Sequence, residues 1–253
     1  MIRQHCKPIF LAIALIACTQ SLIAQNDPKE IIRKAEDKLK GTTSQAEMTM
    51  TVVRPKWDRT ISLKTWSKGQ ELAMILITGP ARDKGTAFLK KGKEVWNWQP
   101  TIERIIKLPP SMMMQSWMGS DFTNDDLVKE SSTIHDYNHA LGKDTVIADR
   151  KCWTIVLTPK EDAPVVWGKV VMWVDQKDYM QMRAAFYDED GFLVNTMQAS
   201  DIGDLGGKVL PRTMEMTPVD KPGNKTIIHY QSLVFDQPID DNFFTVGQLK
   251  SLR

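Results

Sequence analysis

The chain has 253 residues, with 33 Lys and Arg against 31 Asp and Glu, a formal net charge of +2, three cysteines, 14 methionines and eight tryptophans. A balance this close to neutral excludes a general nucleic-acid binder, which needs a basic surplus to displace counterions, and it excludes a polybasic membrane anchor. Of the three cysteines, Cys6 and Cys18 fall in a leader expected to be removed, which leaves Cys152 alone with no internal disulfide to staple the fold, so a hydrophobic core has to suffice.

Residues 1–24 read as a signal peptide. Arg3 and Lys7 form a basic start, Pro8–Ala17 is an apolar run too short to span a bilayer as a stable helix, and Leu22-Ile23-Ala24 permits cleavage before Gln25. Leu15-Ile16-Ala17-Cys18 also has the form of a lipobox, which would make Cys18 a lipidated first residue. Either processing exports the protein, with the periplasm as the expected compartment. Losing residues 1–24 removes two basic residues and makes the charge balance even. Residues 25–253 contain no break in composition and no repeat, so they are expected to form one domain without a second membrane segment.

That domain opens with a helix. Asp27 caps it, Pro28 suits its first position, Glu30 stands where a capping-box acid belongs, and Gly41 ends it. Ile31, Ile32, Ala35 and Leu39 make one apolar stripe that needs a partner surface.

From there the period changes to two. Ala46, Met48, Met50 and Val52 alternate with Glu47, Thr49, Thr51 and Val53; strands follow at 60–66, 72–77, 86–90, 93–98 and 102–108. Next comes Lys107–Asp126, in which Met112, Met113, Met114, Trp117, Met118 and Phe122 crowd together after Pro109-Pro110, with Gly119 inside. Methionine fills irregular gaps, and taken alone such a cluster reads as core packing. Set between proline and glycine breaks in a chain otherwise made of strands, it reads as an adaptable lid over something apolar. Further strands are expected at 131–141, 145–158, 165–174, 179–187, 192–200, 208–216 and 225–235, joined by turns such as Asp188-Glu-Asp-Gly191 and Pro222-Gly-Asn224. The spacing predicts an antiparallel meander. Val165, Trp167, Val171 and Trp173 oppose Val166, Val170, Met172 and Val174, so both faces of this sheet need cover.

Catalytic patterns are missing from the sequence: no G-x-S-x-G elbow, phosphate loop, dinucleotide fingerprint or H-E-x-x-H. His135 and His139 read as surface strand residues, Asp188–Gly191 as a turn without a calcium loop's downstream acid, and Cys152 as an inert buried thiol. No enzyme, cofactor or metal is expected.

Signal peptide, single helix and meander together resemble the LolA-like superfamily, and within it the outer-membrane lipoprotein-sorting branch. The resemblance is carried by Ala46-Glu-Met-Thr-Met-Thr-Val-Val-Arg-Pro55, by Trp96-Asn-Trp-Gln-Pro100 and above all by Met114-Gln-Ser-Trp-Met-Gly-Ser-Asp-Phe-Thr-Asn-Asp-Asp-Leu127. It implies an α+β, mainly β fold: an incomplete, curved antiparallel β-barrel with helices covering its concave face and an apolar cavity between. It further implies a monomeric carrier for the acyl chains of lipoproteins or lipids, working between an inner-membrane exporter and an outer-membrane acceptor. An arginine before a proline on an early strand helps close the lid in that family, and Arg54-Pro55 matches it. The expected cavity and lid residues are Met48, Met50, Arg54, Met74, Leu76, Trp96, Trp98, Met112, Met113, Met114, Trp117 and Met118. The chain is longer than the small carriers and ends soon after its last strand. A non-catalytic envelope scaffold, or an accessory module of an inner-membrane lipid exporter, is the alternative.

Overall fold

The computed structural model describes residues 27–129 and 133–252; the expected signal peptide and Cys18 lie outside the described residues. Helix α1 (Pro28–Lys40) has Asp27 as its N-cap, whose carboxylate accepts from the Lys29 amide at 3.0 Å. Glu30 does not close a capping box. It is drawn instead into an ion pair with Arg33 on the same face. Gly41, at φ 60°, ends the helix, and its N–H donates to Asp37 O at 2.8 Å.

Fourteen strands form one antiparallel sheet: β1 (Thr43–Arg54), β2 (Trp57–Lys68), β3 (Leu72–Gly79), β4 (Ala87–Lys91), β5 (Glu94–Gln99), β6 (Arg104–Lys107), β7 (Tyr137–Leu141), β8 (Thr145–Ile147), β9 (Arg150–Pro159), β10 (Lys169–Asp175), β11 (Gln181–Tyr187), β12 (Leu193–Leu205), β13 (Lys208–Pro218) and β14 (Lys225–Phe235). Their order is β6-β5-β4-β3-β2-β1-β14-β13-β12-β11-β10-β9-β7, with β8 paired to β9. Two meanders therefore meet where β1 pairs with β14, and the sheet stays open between β6 and β7. Register shifts at Glu47/Met48, Ser62/Leu63, Trp173/Val174 and Phe186/Tyr187 are the devices that bend it.

The sequence expectation differs in three places. The run at 145–158 is cut by a turn at Ala148-Asp149, where both residues have positive φ. Residues 165–168 form a loop before β10, so Trp167 joins the concave core together with Val170 and Met172, while Trp173 packs on the other face with Cys152, Met180 and Met182. Residues 133–136 are a turn, which leaves His135 outside β7. At the β12–β13 turn a Cβ on Gly206 would meet Leu233 O at 2.3 Å, and φ is 64°, so only glycine fits.

The concave face is covered, and so is the convex face of β3–β5. On the concave side α1 buries Ile31 and Ile32, and the segment between β6 and β7 closes the rest. On the convex side the C-terminal stretch folds back over β3–β5, burying Phe244 and Leu249. No described helix is long and apolar enough to cross a membrane.

Candidate functional site

The concave floor is built by cross-strand layers around β1. Ala46 is paired with Thr65 and Leu233, Met48 with Leu63 and Tyr230, and Met50 with Ile61 and Ile228. The strict alternation of β1 sends all three β1 side chains inward, at 6%, 8% and 0% exposure. Above this floor lies a cavity of about 150 Å³, walled also by Leu39 and Lys40 of α1, by Ile75 and Lys90, and by Trp117 and Leu127 from the overlying segment. Gly69 is exposed and Lys40 and Gln70 half-buried, so the cavity reaches the surface beside the end of α1; its inner end is at Met50 and Trp117.

The overlying segment runs from Pro110 to Lys129 through two 3₁₀ turns, Pro110–Met112 and Trp117–Gly119, and one wide helical turn, Asp125–Lys129. It divides the methionines. Met113 and Trp117 are buried beneath it with Phe122, Met118 packs half-buried against the same core, Met112 is half-buried, and Met114 is 68% exposed. Trp117 packs on Phe88 with ring centroids 5.5 Å apart.

Two arginines strap this segment to the sheet. Arg54, at the end of β1, donates to Asp121 Oδ2 at 2.9 Å, to Gly119 O at 3.0 Å and to Lys225 O at 3.3 Å. Asp121 also accepts from the fully buried Thr226 hydroxyl at 2.7 Å, and its own N–H donates back to that oxygen at 3.0 Å. Arg59 donates to Met118 O. Left-handed φ values at Met118 (50°) and Gly119 (76°) turn both carbonyls toward these guanidinium groups. Sequence reading identified Arg54 but missed Asp121, Thr226 and Arg59, because the strap is formed between residues 59 to 105 positions apart.

The other expected residues divide by face. Trp66, Met74, Leu89 and Trp96 form one cross-strand row, and Leu76, Ala87 and Trp98 the next, all packed with Phe243, Phe244, Val246 and Leu249 on the convex side. Leu76, Trp96 and Trp98 do not line the cavity; Met74 and Trp66 belong to this row and border it as well. Leu63, Thr65, Lys90, Ile228 and Tyr230 line the cavity without having been singled out in the sequence. Leu63 and Ile228 follow from the alternation of β1 once its partners are known.

Asp126 anchors the far end of the segment. Its carboxylate accepts from the Trp167 indole N–H at 3.0 Å and from the Thr123 amide at 2.8 Å. Burial pushes its pKa up, and these hydrogen bonds only partly offset that. Because the folded-state value lies above the unfolded one, ionising Asp126 weakens the fold as pH rises from the unfolded value through the folded one. Chemical denaturation across pH 4–7 should show that Asp126→Asn removes this part of the pH dependence; an unchanged slope would contradict a buried, upshifted carboxyl.

Cys152 is buried in an apolar setting that pushes its thiol up to about 11. His139 Nε2 lies 2.7 Å from Thr133 O. Among the described residues no three His, Cys, Asp or Glu side chains converge as a metal site.

A family model described as "Uncharacterized protein" matches residues 69–251. No curated protein matches the chain. Among solved structures, a domain assigned to outer membrane lipoprotein sorting from Vibrio parahaemolyticus superposes with a TM-score of 0.79 at 23% identity, covering 89% of this chain and 99% of that one. A LolA superfamily protein from Nitrosomonas europaea gives 0.75 at 24%, covering 87% and 98%. A DUF1329 family protein from Desulfovibrio piger gives 0.79 at 23%, covering 88% and 99%. The open curved sheet, the covered concave face and these superpositions agree: the chain belongs to the uncharacterized family whose model it matches, and it has the LolA-like fold.

Proposed function

We propose that the protein is an exported periplasmic carrier that shields an acyl chain of a lipoprotein or lipid between the concave sheet and the 110–129 segment. The observation that carries this reading is a cavity between floor and segment that the protein's own side chains leave unfilled. Met48 and Met50 would form its floor, Met113, Trp117 and Met118 the underside of its lid, and Arg54 the latch. Moving a chain through water exposes about 0.8 kcal/mol per CH₂, a penalty that an apolar wall removes without any catalytic group. The closed cavity takes only a short part of such a chain. Loading therefore shifts the protein from a strapped to an unstrapped state. An inner-membrane exporter and an outer-membrane acceptor are the partners this role requires. The description of the Vibrio parahaemolyticus neighbour, lipoprotein sorting, supports the same class of cargo.

Mass spectrometry of organic extracts from the purified protein is expected to find stoichiometric acyl lipid or lipoprotein. Ala46→Phe, which puts a ring into the cavity, should weaken binding of a neutral fluorescent apolar probe at least about tenfold while leaving the fold intact. A protein that yields no lipid and binds no apolar probe would be a scaffold instead.

A further inference from the structure

The hairpins that hold Asp121 also expose apolar side chains at their tips. The Asp121 carboxylate accepts from Arg54 of the β1–β2 hairpin and from Thr226 of the β13–β14 hairpin. Its carbonyl accepts from the Asn195 amide of the β11–β12 hairpin at 3.4 Å. Beyond these contacts stand Trp57, Val219 and Phe192, one on each hairpin and 52%, 52% and 70% exposed. The tips adjoin one another. A Cβ on Gly223 would lie 3.3 Å from the Pro55 ring, and the Val219 N–H donates to Val194 O at 2.9 Å. Their turns are also fixed. The Phe192 N–H donates to Asp188 Oδ1 at 2.8 Å, and the Arg54 guanidinium lies 5.9 Å from the Trp57 ring centroid. Held out in water by ordered turns and gathered at one end of the sheet, such side chains mark an interaction surface.

We infer that these three tips dock the protein on the surface of a phospholipid bilayer, with the strapped end of the cavity against the membrane. Trp57, Val219 and Phe192 stand singly on separate tips, whereas a protein interface gathers its apolar residues into one closely packed core. A bilayer takes them one by one, and tryptophan and phenylalanine suit its headgroup level. Charge selects the kind of lipid. Residues 55–59, 188–193 and 219–224 carry three basic and five acidic side chains, a balance that gives an anionic surface no hold on the rim. A zwitterionic bilayer fits it. This inference rests on the carrier reading and adds to it the surface at which cargo is exchanged. A pull on the tips acts on the three groups that hold Asp121.

The test is co-sedimentation of the full mature protein with phosphatidylcholine vesicles. Wild type is expected to sediment, and equimolar phosphatidylglycerol should not strengthen its binding. The double variant Trp57→Ser/Phe192→Ser, changed at two exposed positions, should need at least about tenfold more lipid for the same bound fraction. Its affinity for the neutral apolar probe should be unchanged. Val146→Ser, which removes a comparably exposed apolar side chain from β8, should sediment like wild type. Ala46→Phe, with its cavity blocked, should sediment too, which separates docking from uptake of lipid. Brominated phosphatidylcholine should quench wild-type fluorescence more than that of Trp57→Phe, a readout that stands if the double variant fails to fold. The inference is overturned if wild type does not sediment, which leaves the tips to a protein partner. It is equally overturned by binding that the double variant retains, that Ala46→Phe loses or that requires phosphatidylglycerol, and by equal quenching. Those results leave the carrier reading intact. Absence of co-purified lipid and of probe binding overturns the carrier reading instead.

Discussion

Arg54→Met is expected to loosen the 110–129 segment while leaving the sheet beneath it folded. The Arg54 and Asp121 side chains are 14% and 7% exposed, so removing the guanidinium strands a carboxylate whose remaining hydrogen-bond donor among the described residues is the Thr226 hydroxyl. Breaking one side of a largely buried pair costs on the order of 3 kcal/mol. Here that cost falls on a local closure, because the pair joins a loop to the rim of the sheet and not two core strands. Hydrogen exchange should report it directly: the amides of Trp117, Asn124 and Asp125, which bond within the segment, should exchange on the order of a hundredfold faster. Amides of β1 and β14 should change far less. Release of a bound apolar probe should accelerate in parallel. Arg54→Lys keeps the charge but cannot reach Asp121 Oδ2 and Gly119 O together, so it should fall between the two. Unchanged exchange in Arg54→Met would mean that Arg59, Trp167 and the Asn195 side-chain amide, which donates to Asp121 O at 3.4 Å, hold the segment without it.

Phe244→Ala is expected to destabilise the whole protein by about 3–5 kcal/mol, the usual cost of deleting a fully buried ring. Phe244 sits on the convex side with Met74, Leu76, Ala87 and Leu89 beneath it and Phe243 against it at 5.3 Å. For a chain of this size that amounts to a melting point lower by roughly 10 °C. Affinity for the apolar probe, measured below the transition, should be unchanged because Phe244 does not line the cavity. The contrast with Ala46→Phe separates the two apolar faces: one variant loses stability and keeps binding, the other keeps stability and loses binding. A loss of binding in Phe244→Ala at full folding would place the ligand on the convex face instead.

The contrast also shows where sequence reading runs out. Strand β1 alternates cleanly, Ala46, Met48, Met50 and Val52 inward against Glu47, Thr49 and Thr51, so its inner face is legible in the residues alone. Strand β3 offers no such clue. Leu72–Ile77 is apolar throughout because both of its faces are covered, and period two carries no information when both parities are greasy. Leu76, Trp96 and Trp98 are therefore expected in the cavity together with Met74, and the register turns this row to the convex side, from which only Met74 of the four borders the cavity. Leu63 pairs with Ile77 and Trp66 with Met74 after the shift at Ser62/Leu63, which puts the odd residues of β3 on the concave side. The C-terminal stretch that covers the even residues is too short and irregular to announce a partner surface.

By itself the sequence determined the capped first helix, the meander, the turns that join it, the inward row of β1 and a methionine-rich segment bounded by proline and glycine. These are local properties, fixed by period, propensity and turn chemistry within a few residues of one another. Only the tertiary structure decided which face of β3–β5 is concave, which methionines of 112–118 turn inward, and that Arg54 closes on Asp121 and Thr226. Each of those depends on contacts between residues far apart in the chain, where a shift of one residue in pairing exchanges inside for outside.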